Sequence, residues 1–305
     1  MAPSDGNRWW VYQRERFPLL AHGPLILSFC LCAVCFSALL RNSPAFPPLH
    51  VIAVAFLSSL ISFLHLRLAD EFKDFEEDSR YRPYRPVPRG LVTLRDLTWV
   101  WIGTGIVQLI LALTLRPMLV VPLLVTWVYL ALMSREFFCR SWLKAHPFTY
   151  MWTHMFIMPL IDFYATACDW LPTLGHPPRG LLWFVVVSFF NGFVIEIGRK
   201  IRAPHDEETG VETYSFLWGR TGAVRAWWIA MLLAAGSAII AALQIHFLVP
   251  VAVTLGVLLL AAGLLGFRFL RRPASGKVFE YLAGIWTLAL YVSLGVAPMA
   301  WKLFR

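Results

Sequence analysis

Residues 70–78 read DEFKDFEED, which places six acidic residues within nine positions directly after a long apolar segment. Carboxylates are costly at a membrane boundary unless a cation compensates them, so such a run indicates a functional site. Asp70, Asp74 and Asp78 lie four residues apart, and in a helix each step drifts only about 40° around the axis. Like charges at that spacing repel. A divalent cation would reverse the repulsion, and hard oxygen ligands favour Mg²⁺.

The composition around this run is that of a polytopic membrane protein. Of the 305 residues, 58% are hydrophobic and 14 are Trp, and the mean hydropathy is +0.63. Soluble domains rarely exceed about half apolar residues. The formal charge is +9, but the basic residues lie in short loops between apolar segments, where they orient a membrane protein. This distribution argues against nucleic acid as a partner and for the lipid bilayer.

Apolar runs of about 20 residues, the length that a spanning helix needs, predict an all-α bundle of nine transmembrane helices. The predicted spans are about 18–40, 48–69, 95–115, 118–135, 147–171, 181–199, 222–243, 246–267 and 279–301. We expect a single domain over residues 1–305, in which 1–17 form a cytoplasmic N-terminal segment. With nine spans, 22 of the 27 Lys and Arg residues fall on one side. By the positive-inside rule that side is cytoplasmic, and an inner-membrane location is expected.

A second polar loop follows the sixth predicted span, where residues 196–213 read EIGRKIRAPHDEETGVET. The two loops together hold 11 of the 18 acidic residues, and both also carry clustered Arg and Lys. Both are predicted on the cytoplasmic side. Carboxylates hold Mg²⁺, while Mg²⁺, Arg and Lys together hold a diphosphate and neutralise it as it leaves.

The first loop resembles that of the UbiA superfamily of intramembrane prenyltransferases. The family pattern is Asn-Asp-x-x-Asp-x-x-x-Asp, followed by Arg-Pro-x-Arg-Pro-x-Pro-x-Gly. Here the acids at 70, 71, 74 and 78 are followed by RPYRPVPRG at residues 82–90. The second family motif is Asp-x-x-x-Asp ahead of Gly and Thr, and Asp206 precedes Gly210 and Thr213 at the matching spacing.

The chain departs from the family pattern at two positions. Asp70 stands where the family has Asn, and Arg202 stands where the second motif has its first Asp. The Arg202 substitution places the second metal site in question. Either a nearby glutamate compensates, or Arg202 contacts the diphosphate itself. The candidate glutamates are Glu196, Glu207, Glu208 and Glu212.

The resemblance implies a helical bundle around a central cavity, with the two loops at its mouth and an isoprenoid tail in an apolar tunnel. It implies a prenyl diphosphate and a lipophilic acceptor, aromatic or other, as substrates, and Mg²⁺ as cofactor. The implied metal ligands are Asp70, Asp74, Asp78 and Asp206, the last three of them catalytic. The implied diphosphate contacts are Arg82, Arg85, Lys144, Lys200 and Arg202.

Two further acids are candidates for the acceptor cavity. Asp162 lies within the fifth predicted span, where an ionisable residue is unusual enough to indicate function. Glu196 ends the sixth span and faces the proposed mouth. Asp162 pairing with a basic residue is the structural alternative.

Three other functions remain open at this stage. Within the family they are cyclisation of the isoprenoid without an acceptor, and transfer of a phosphosugar to a lipid phosphate. Outside it, a cation transporter would also use acid clusters, although transporters usually place them near the bilayer midplane. The sequence leaves the chain length of the isoprenoid, the acceptor and the oligomeric state undetermined.

Overall fold

A computed structural model describes residues 7–207, 213–272 and 275–304. These ranges form fourteen α-helices and contain no strand. The helices are α1 (Arg8–Arg16), α2 (Leu19–Leu40), α3 (Leu49–Lys73), α4 (Phe75–Tyr81), α5 (Leu94–Leu115), α6 (Val120–Ser134), α7 (Arg140–Ala145), α8 (Pro147–Met155), α9 (Ile157–Thr173), α10 (Leu181–Gly198), α11 (Tyr214–Gln244), α12 (Leu248–Arg271), α13 (Lys277–Leu294) and α14 (Val296–Leu303). Short 3₁₀ turns cover Pro117–Leu119, Glu136–Phe138 and Pro204–Asp206.

The predicted polytopic bundle is confirmed. Within the described ranges, eight segments are long and apolar enough to cross a membrane. They are α2, α3, α5, α6 with the turn before it, α10, α11, α12, and α13 joined to α14. The predicted count of nine differs from this at one place, the segment 147–171, which is divided between α8 and α9.

Pro159 explains the division of that segment. It lies in the first turn of α9, where it has no N–H to donate to the carbonyl of Met155, and its ring crowds that carbonyl. The helix therefore stops at Met155 and restarts at Ile157. With 17 residues, α9 is about 26 Å long, slightly shorter than a hydrocarbon core of about 30 Å.

The centre of the bundle is formed by α2, α9, α10 and α13, which pack on one another. Phe36 of α2 stacks on Phe184 of α10 at 4.6 Å between ring centroids, and Tyr291 of α13 meets Phe184 edge-on. By contrast, α12 leaves apolar side chains such as Val249 and Leu260 about 70% exposed. An apolar exterior of this kind suits contact with lipid.

A buried ion pair joins two of the central helices at the end of α2. Arg41 donates from Nε and Nη2 to the two carboxylate oxygens of Asp169 in α9, at 2.9 and 2.7 Å. Ser37 adds a third donor to Asp169 at 2.7 Å. A bidentate pair with a further hydrogen bond satisfies both charged groups, which is the condition for burying them.

Candidate active site at the ends of α3 and α10

The acidic run begins in the last turn of α3 and continues through α4. Asp74 is the junction, with φ −99° and ψ 7°. The backbone N–H of Asp74 still bonds the carbonyl of Asp70 at 2.9 Å, and that of Asp78 bonds Asp74 at 2.8 Å. The three predicted ligands therefore keep near-helical spacing. Their surroundings differ, however, because Asp78 is 2% exposed whereas the Asp70 side chain is 49% exposed.

Asp78 is paired with both arginines of the Arg-Pro segment. Arg82 Nη1 donates to one carboxylate oxygen at 3.1 Å, and Arg85 Nη1 donates to the other. The two arginines predicted to bind diphosphate thus hold a predicted metal ligand in this structure. The chain turns back sharply at Gly90, whose φ of +77° favours glycine.

The carboxylates of Asp70 and Asp74 have little compensation from neighbouring cations. Asp70 receives one long contact from Arg67 at 3.4 Å. Within the described ranges no hydrogen bond reaches the carboxylate of Asp74, and burial, followed by the Asp70 carboxylate, raises the pKa of Asp74 to about 6. Two neighbouring carboxylates without a full counter-charge fit a hard divalent cation. Among the described residues, no three Asp, Glu, His or Cys side chains converge as a ready-made metal site.

Lys73, the last residue of α3, belongs to a further network of charged and polar side chains that the sequence did not reveal. Lys73 Nζ bonds the hydroxyl of Tyr150 and lies 3.2 Å from Oε1 of Glu136. Glu136 is buried and also lies 3.1 Å from Nε of Arg140. Tyr150 is within electrostatic reach of Asp74, so this network borders the acidic run.

The backbone at Glu136 is unusual. Glu136, Phe137 and Phe138 have φ values of 48°, 52° and 59°, a left-handed turn made of three residues that have a Cβ. Such residues cost of order 1 kcal/mol or more each and persist where the surroundings impose them. The ion pairs of Glu136 with Lys73 and Arg140 supply that restraint.

Lys144, predicted as a diphosphate contact, lies on the acidic run itself. Its Nζ is 2.6 Å from Oε1 of Glu77, and Arg140 approaches the same oxygen at 3.6 Å. The hydrogen bond from Lys144 is the main cause of the lowered pKa of Glu77, and burial acts in the opposite direction. Helix α7 is therefore tied to α4 through exposed ion pairs.

The end of α10 brings the second loop to the first. Glu196 accepts from Arg199 Nε at 2.6 Å and lies 2.8 Å from Lys200 Nζ. The Glu196 carboxylate chiefly, and the Asp70 carboxylate as well, raise the pKa of the Arg199 guanidinium. Arg199 therefore lies between the two loops. About half of the Arg199 side chain is accessible, so it can still meet a ligand.

We call the residues at this convergence the charged cleft: Asp70, Asp74, Glu196, Arg199 and Lys200. Two tyrosines border it. Tyr214, the first residue of α11, lies beneath Lys200, whose Nζ is 5.5 Å from the ring centroid. Lys73 Nζ lies 4.7 Å from the centroid of the Tyr150 ring, on the side of the hydroxyl that it bonds, and therefore at the ring edge. The face of the Tyr214 ring is placed to attract a cation.

The remaining acids of the second loop have structural partners. Asp206 Oδ2 accepts from the backbone N–H of Gly276 at 2.8 Å, and this bond is the main cause of its lowered pKa. Glu207 accepts from the Thr213 hydroxyl at 2.7 and 2.8 Å. Thr213 in turn caps α11. Glu208, Gly210 and Glu212 lie outside the described residues.

Arg202 lies in the same loop as Glu196 and Asp206, but its guanidinium has no acidic partner among the described residues. Its backbone N–H donates to Ser215 Oγ at 2.9 Å, and its Nη1 donates to the carbonyl of Ile201 at 3.3 Å. Across the described part of the chain, no carboxylate lies within ion-pair distance of its guanidinium. Its charge is thus available to an anion.

Asp162 lies in the interior of the bundle, away from these loops. It is fully buried, and its Oδ2 accepts from the Tyr291 hydroxyl at 2.7 Å. Among the described residues, no donor forms a hydrogen bond with its Oδ1. Asn191 accepts nearby from Thr287 at 3.2 Å. The polar groups of α9, α10 and α13 thus meet inside the bundle, where the sequence had marked only Asp162.

Two cavities flank α3. One, of about 460 Å³, lies beside the network of Lys73 and Glu136 and is lined by Lys73, Trp101 and Arg135 among others. The other, of about 370 Å³, is almost wholly apolar and lies between α1, α3 and α5. A central cavity that holds an isoprenoid tail stays a prediction.

Comparison with known proteins identifies the architecture. A family model described as the UbiA prenyltransferase family matches residues 26–289. Among solved structures, the apo structure of a UbiA homolog from Aeropyrum pernix K1 aligns with a TM-score of 0.66 at 13% identity, covering 92% of this chain and 98% of that one. A structure reported for digeranylgeranylglyceryl phosphate synthase in membranes aligns with a TM-score of 0.63 at 13% identity, covering 98% and 99%. No curated protein sequence matches the chain. At this identity the structural matches establish the fold.

Proposed function

Because the chain belongs to the UbiA prenyltransferase family, we propose that it is a Mg²⁺-dependent enzyme that transfers an isoprenoid from a prenyl diphosphate to a lipophilic acceptor, aromatic or other. Family membership supports membrane prenyl transfer as the general activity. The observation that carries the specific proposal is the charged cleft. It brings Arg199 within electrostatic reach of Asp70, which neighbours Asp74, while Lys200 lies with Arg199 at Glu196.

The residues of the cleft suit a diphosphate and its metal ion. Asp70 and Asp74, with Asp78 as a third candidate, would hold Mg²⁺, which when bound offsets the charge that develops on a departing diphosphate. Lys200 and Arg202 offer cationic donors from the second loop. Arg82, Arg85 and Lys144 are proposed to move from Asp78 and Glu77 to the diphosphate. The predicted ligand Asp206 is engaged by the backbone N–H of Gly276 through Oδ2.

The reaction that follows is an ionisation and a capture. The bond between the allylic carbon and the diphosphate oxygen breaks, and its electron pair leaves with the oxygen. The rings of Tyr150 and Tyr214 border the cleft and stabilise the allylic cation by about 0.5–2 kcal/mol each if they face it. An electron-rich acceptor attacks the cation, and a base removes a proton. Two acids are proposed to contact the acceptor: Asp162 deeper in the bundle and Glu196 at the mouth. Exclusion of water favours transfer over hydrolysis.

The proposal includes the arrangement in the membrane. We place the N-terminus and both catalytic loops in the cytoplasm and the chain in the inner membrane, as one domain, because of the charge asymmetry of its loops. Cysteine-reactive probes test this directly. A cysteine introduced at exposed Glu76 of an otherwise cysteine-free chain should react from the cytoplasmic side, and labelling from the opposite side would contradict the orientation.

The activity is tested by release of pyrophosphate from the purified full chain in lipid nanodiscs, with geranyl, farnesyl or geranylgeranyl diphosphate and Mg²⁺. Asp74→Asn is expected to lower the rate about a hundredfold or more, because it removes a charge that holds the metal ion. Glu15→Gln, which alters an exposed pair with Arg89, is the matched control and should keep full activity.

Three results separate the proposal from its competitors. The proposal is contradicted if none of the prenyl diphosphates yields pyrophosphate, or if Asp74→Asn keeps full activity. Thermal stabilisation by Mg²⁺ without any response to a prenyl diphosphate favours an ion transporter. Release with a cyclic hydrocarbon as the product, in the absence of acceptor, identifies a cyclase.

A further inference from the structure

We propose that the charged cleft binds one divalent cation rather than two, and that Arg202, together with Lys200, meets the diphosphate in place of a second ion. The inference rests on the proposed function and goes further by assigning the two halves of the cleft different chemistry. The first loop would supply carboxylates to a metal ion. The second loop would supply cations directly to the anion.

The described carboxylates of the second loop are already satisfied within the protein. Glu196 is held by Arg199 and Lys200. The two oxygens of Glu207 share the single proton of the Thr213 hydroxyl, and that hydroxyl also caps α11 by accepting from the backbone N–H of Phe216. A metal ion would have to compete with these donors for the same carboxylate oxygens.

Asp206 has a structural task of its own. Its bond to the N–H of Gly276 connects the second loop to the start of α13. The contact is tight, because a Cβ on Gly276 would lie 2.2 Å from the carbonyl oxygen of Ile201. Asp206 therefore fixes the position of the segment that carries Arg202, and a rotation toward a metal ion would release that segment.

The charges at the start of the second loop favour an anion. Residues 196–202 carry Arg199, Lys200 and Arg202 against the single acid Glu196, and the four other acids of the loop follow at residues 206–212. Beside residues 196–202 a diphosphate would be attracted, whereas a divalent cation would meet three positive charges. A guanidinium also presents paired N–H donors that match phosphate oxygens. The only described side-chain hydrogen bond of Arg202 goes to a carbonyl at 3.3 Å, so its donors are available.

The first loop shows the opposite balance. The carboxylate of Asp74 has no hydrogen-bonding partner within the described ranges, and that of Asp70 has only Arg67, at 3.4 Å. The two sides of the cleft are therefore complementary, with one place for a cation and one for an anion. This asymmetry fits an arginine at position 202, where the second family motif has an Asp.

The number of bound ions is the decisive measurement. Mn²⁺ is used as the probe and counted by electron paramagnetic resonance on the full chain in nanodiscs, with unreactive geranylgeranyl thiodiphosphate present. We expect one ion per chain. Asp74→Asn should bind none, whereas Asp206→Asn should still bind one, with a Kd within about twofold of the original. Two ions per chain, or loss of an ion in Asp206→Asn, overturns the inference.

The role of Arg202 is tested separately with the same thiodiphosphate. Arg202→Ala should weaken its binding about tenfold and reduce the salt dependence, while the ion count stays at one. Arg202→Lys should recover part of the affinity. Arg268→Ala removes an exposed charge from the end of α12 and should change nothing. Unchanged binding by Arg202→Ala overturns the role of Arg202.

The outcomes distinguish this inference from the function on which it rests. If the wild-type chain binds the thiodiphosphate tightly with two ions, the function stands and the single-ion inference fails. If it binds no thiodiphosphate at all, both fail. The count on the wild-type chain decides the matter even if Asp206→Asn does not fold.

Discussion

Replacing Asp74 by Asn should stabilise the metal-free protein. Burial and the neighbouring Asp70 raise the pKa of Asp74 to about 6, so its ionised form opposes folding. The folded state binds this proton more tightly than the unfolded state, and stability therefore falls as pH rises from about 4 to about 6 and stays low above that. An amide of the same size removes the charge that causes the cost.

The size of the effect follows from the pKa. A rise from 3.8 to about 6 corresponds to at most about 3 kcal/mol at pH 8. Water reaches part of the Asp74 side chain and reduces this cost, so we expect a gain of roughly 1 kcal/mol. For a chain of this length that is an increase in Tm of roughly 2 °C.

Asp78→Asn is the matched comparison, and its effect should have the opposite sign. Asp78 is buried and bonded to Arg82 and Arg85, so the substitution leaves two arginines without their carboxylate. Breaking a fully buried pair costs about 3–5 kcal/mol. Both arginines are slightly more than 20% exposed, so we expect a loss of roughly 2 kcal/mol.

The assay is thermal unfolding in detergent at pH 8 and again at pH 5, with and without Mg²⁺. Without metal, Asp74→Asn should unfold above the wild type at pH 8, and the gain should shrink at pH 5. With Mg²⁺, only the wild type should become more stable. If Asp74→Asn and Asp78→Asn lose stability alike at pH 8, Asp74 has a cationic partner in the metal-free protein and the reasoning is refuted.

Three further outcomes are expected. The Kd of Mn²⁺ should rise about tenfold per pH unit below about pH 6, because the proton on Asp74 then competes with the ion; a flat titration between pH 5 and 8 would exclude Asp74 as a ligand. Arg41→Ala leaves the carboxylate of Asp169 buried without its cation and should lower the free energy of unfolding by about 3 kcal/mol, with the rate of pyrophosphate release per folded molecule unchanged. A lower rate of release without a loss of stability would assign the pair a role in the reaction. Gly276→Ala would bring a Cβ to 2.2 Å from the oxygen of Ile201 and should cost about 2 kcal/mol or more, read as a lower Tm. An unchanged Tm would show that the second loop does not contact the start of α13.

The positions of most helices could be read from the sequence, because long apolar runs ended by prolines specify them. The predicted span 18–40 corresponds to α2 at Leu19–Leu40, and 95–115 corresponds to α5 at Leu94–Leu115. The break between α8 and α9 was missed although Pro159 is visible in the sequence. Transmembrane helices often continue through proline when neighbouring groups satisfy the freed carbonyl, so the residue alone does not decide.

The pairing of charges could not be read in the same way. Sequence spacing located the acidic run, but Glu71 is neutralised by Arg16 and Asp78 by arginines assigned to the diphosphate. Each pairing depends on which helices become neighbours. The network of Glu136 with Lys73 was hidden for another reason, since nothing in the local sequence predicts a left-handed backbone for Glu-Phe-Phe.

The short helix α1 is attached by its arginines, and this has a consequence during synthesis. Arg16 pairs with Glu71, which the ribosome adds 55 residues later, and Arg8 pairs with Asp96, added 88 residues later. At 5–20 residues per second, Arg16 waits roughly 3–11 s for its partner. A nine-residue helix is unstable alone in water. Helix α1 therefore finds its final place only after these partners have been made, and the apolar segments between them must enter the bilayer before it can dock.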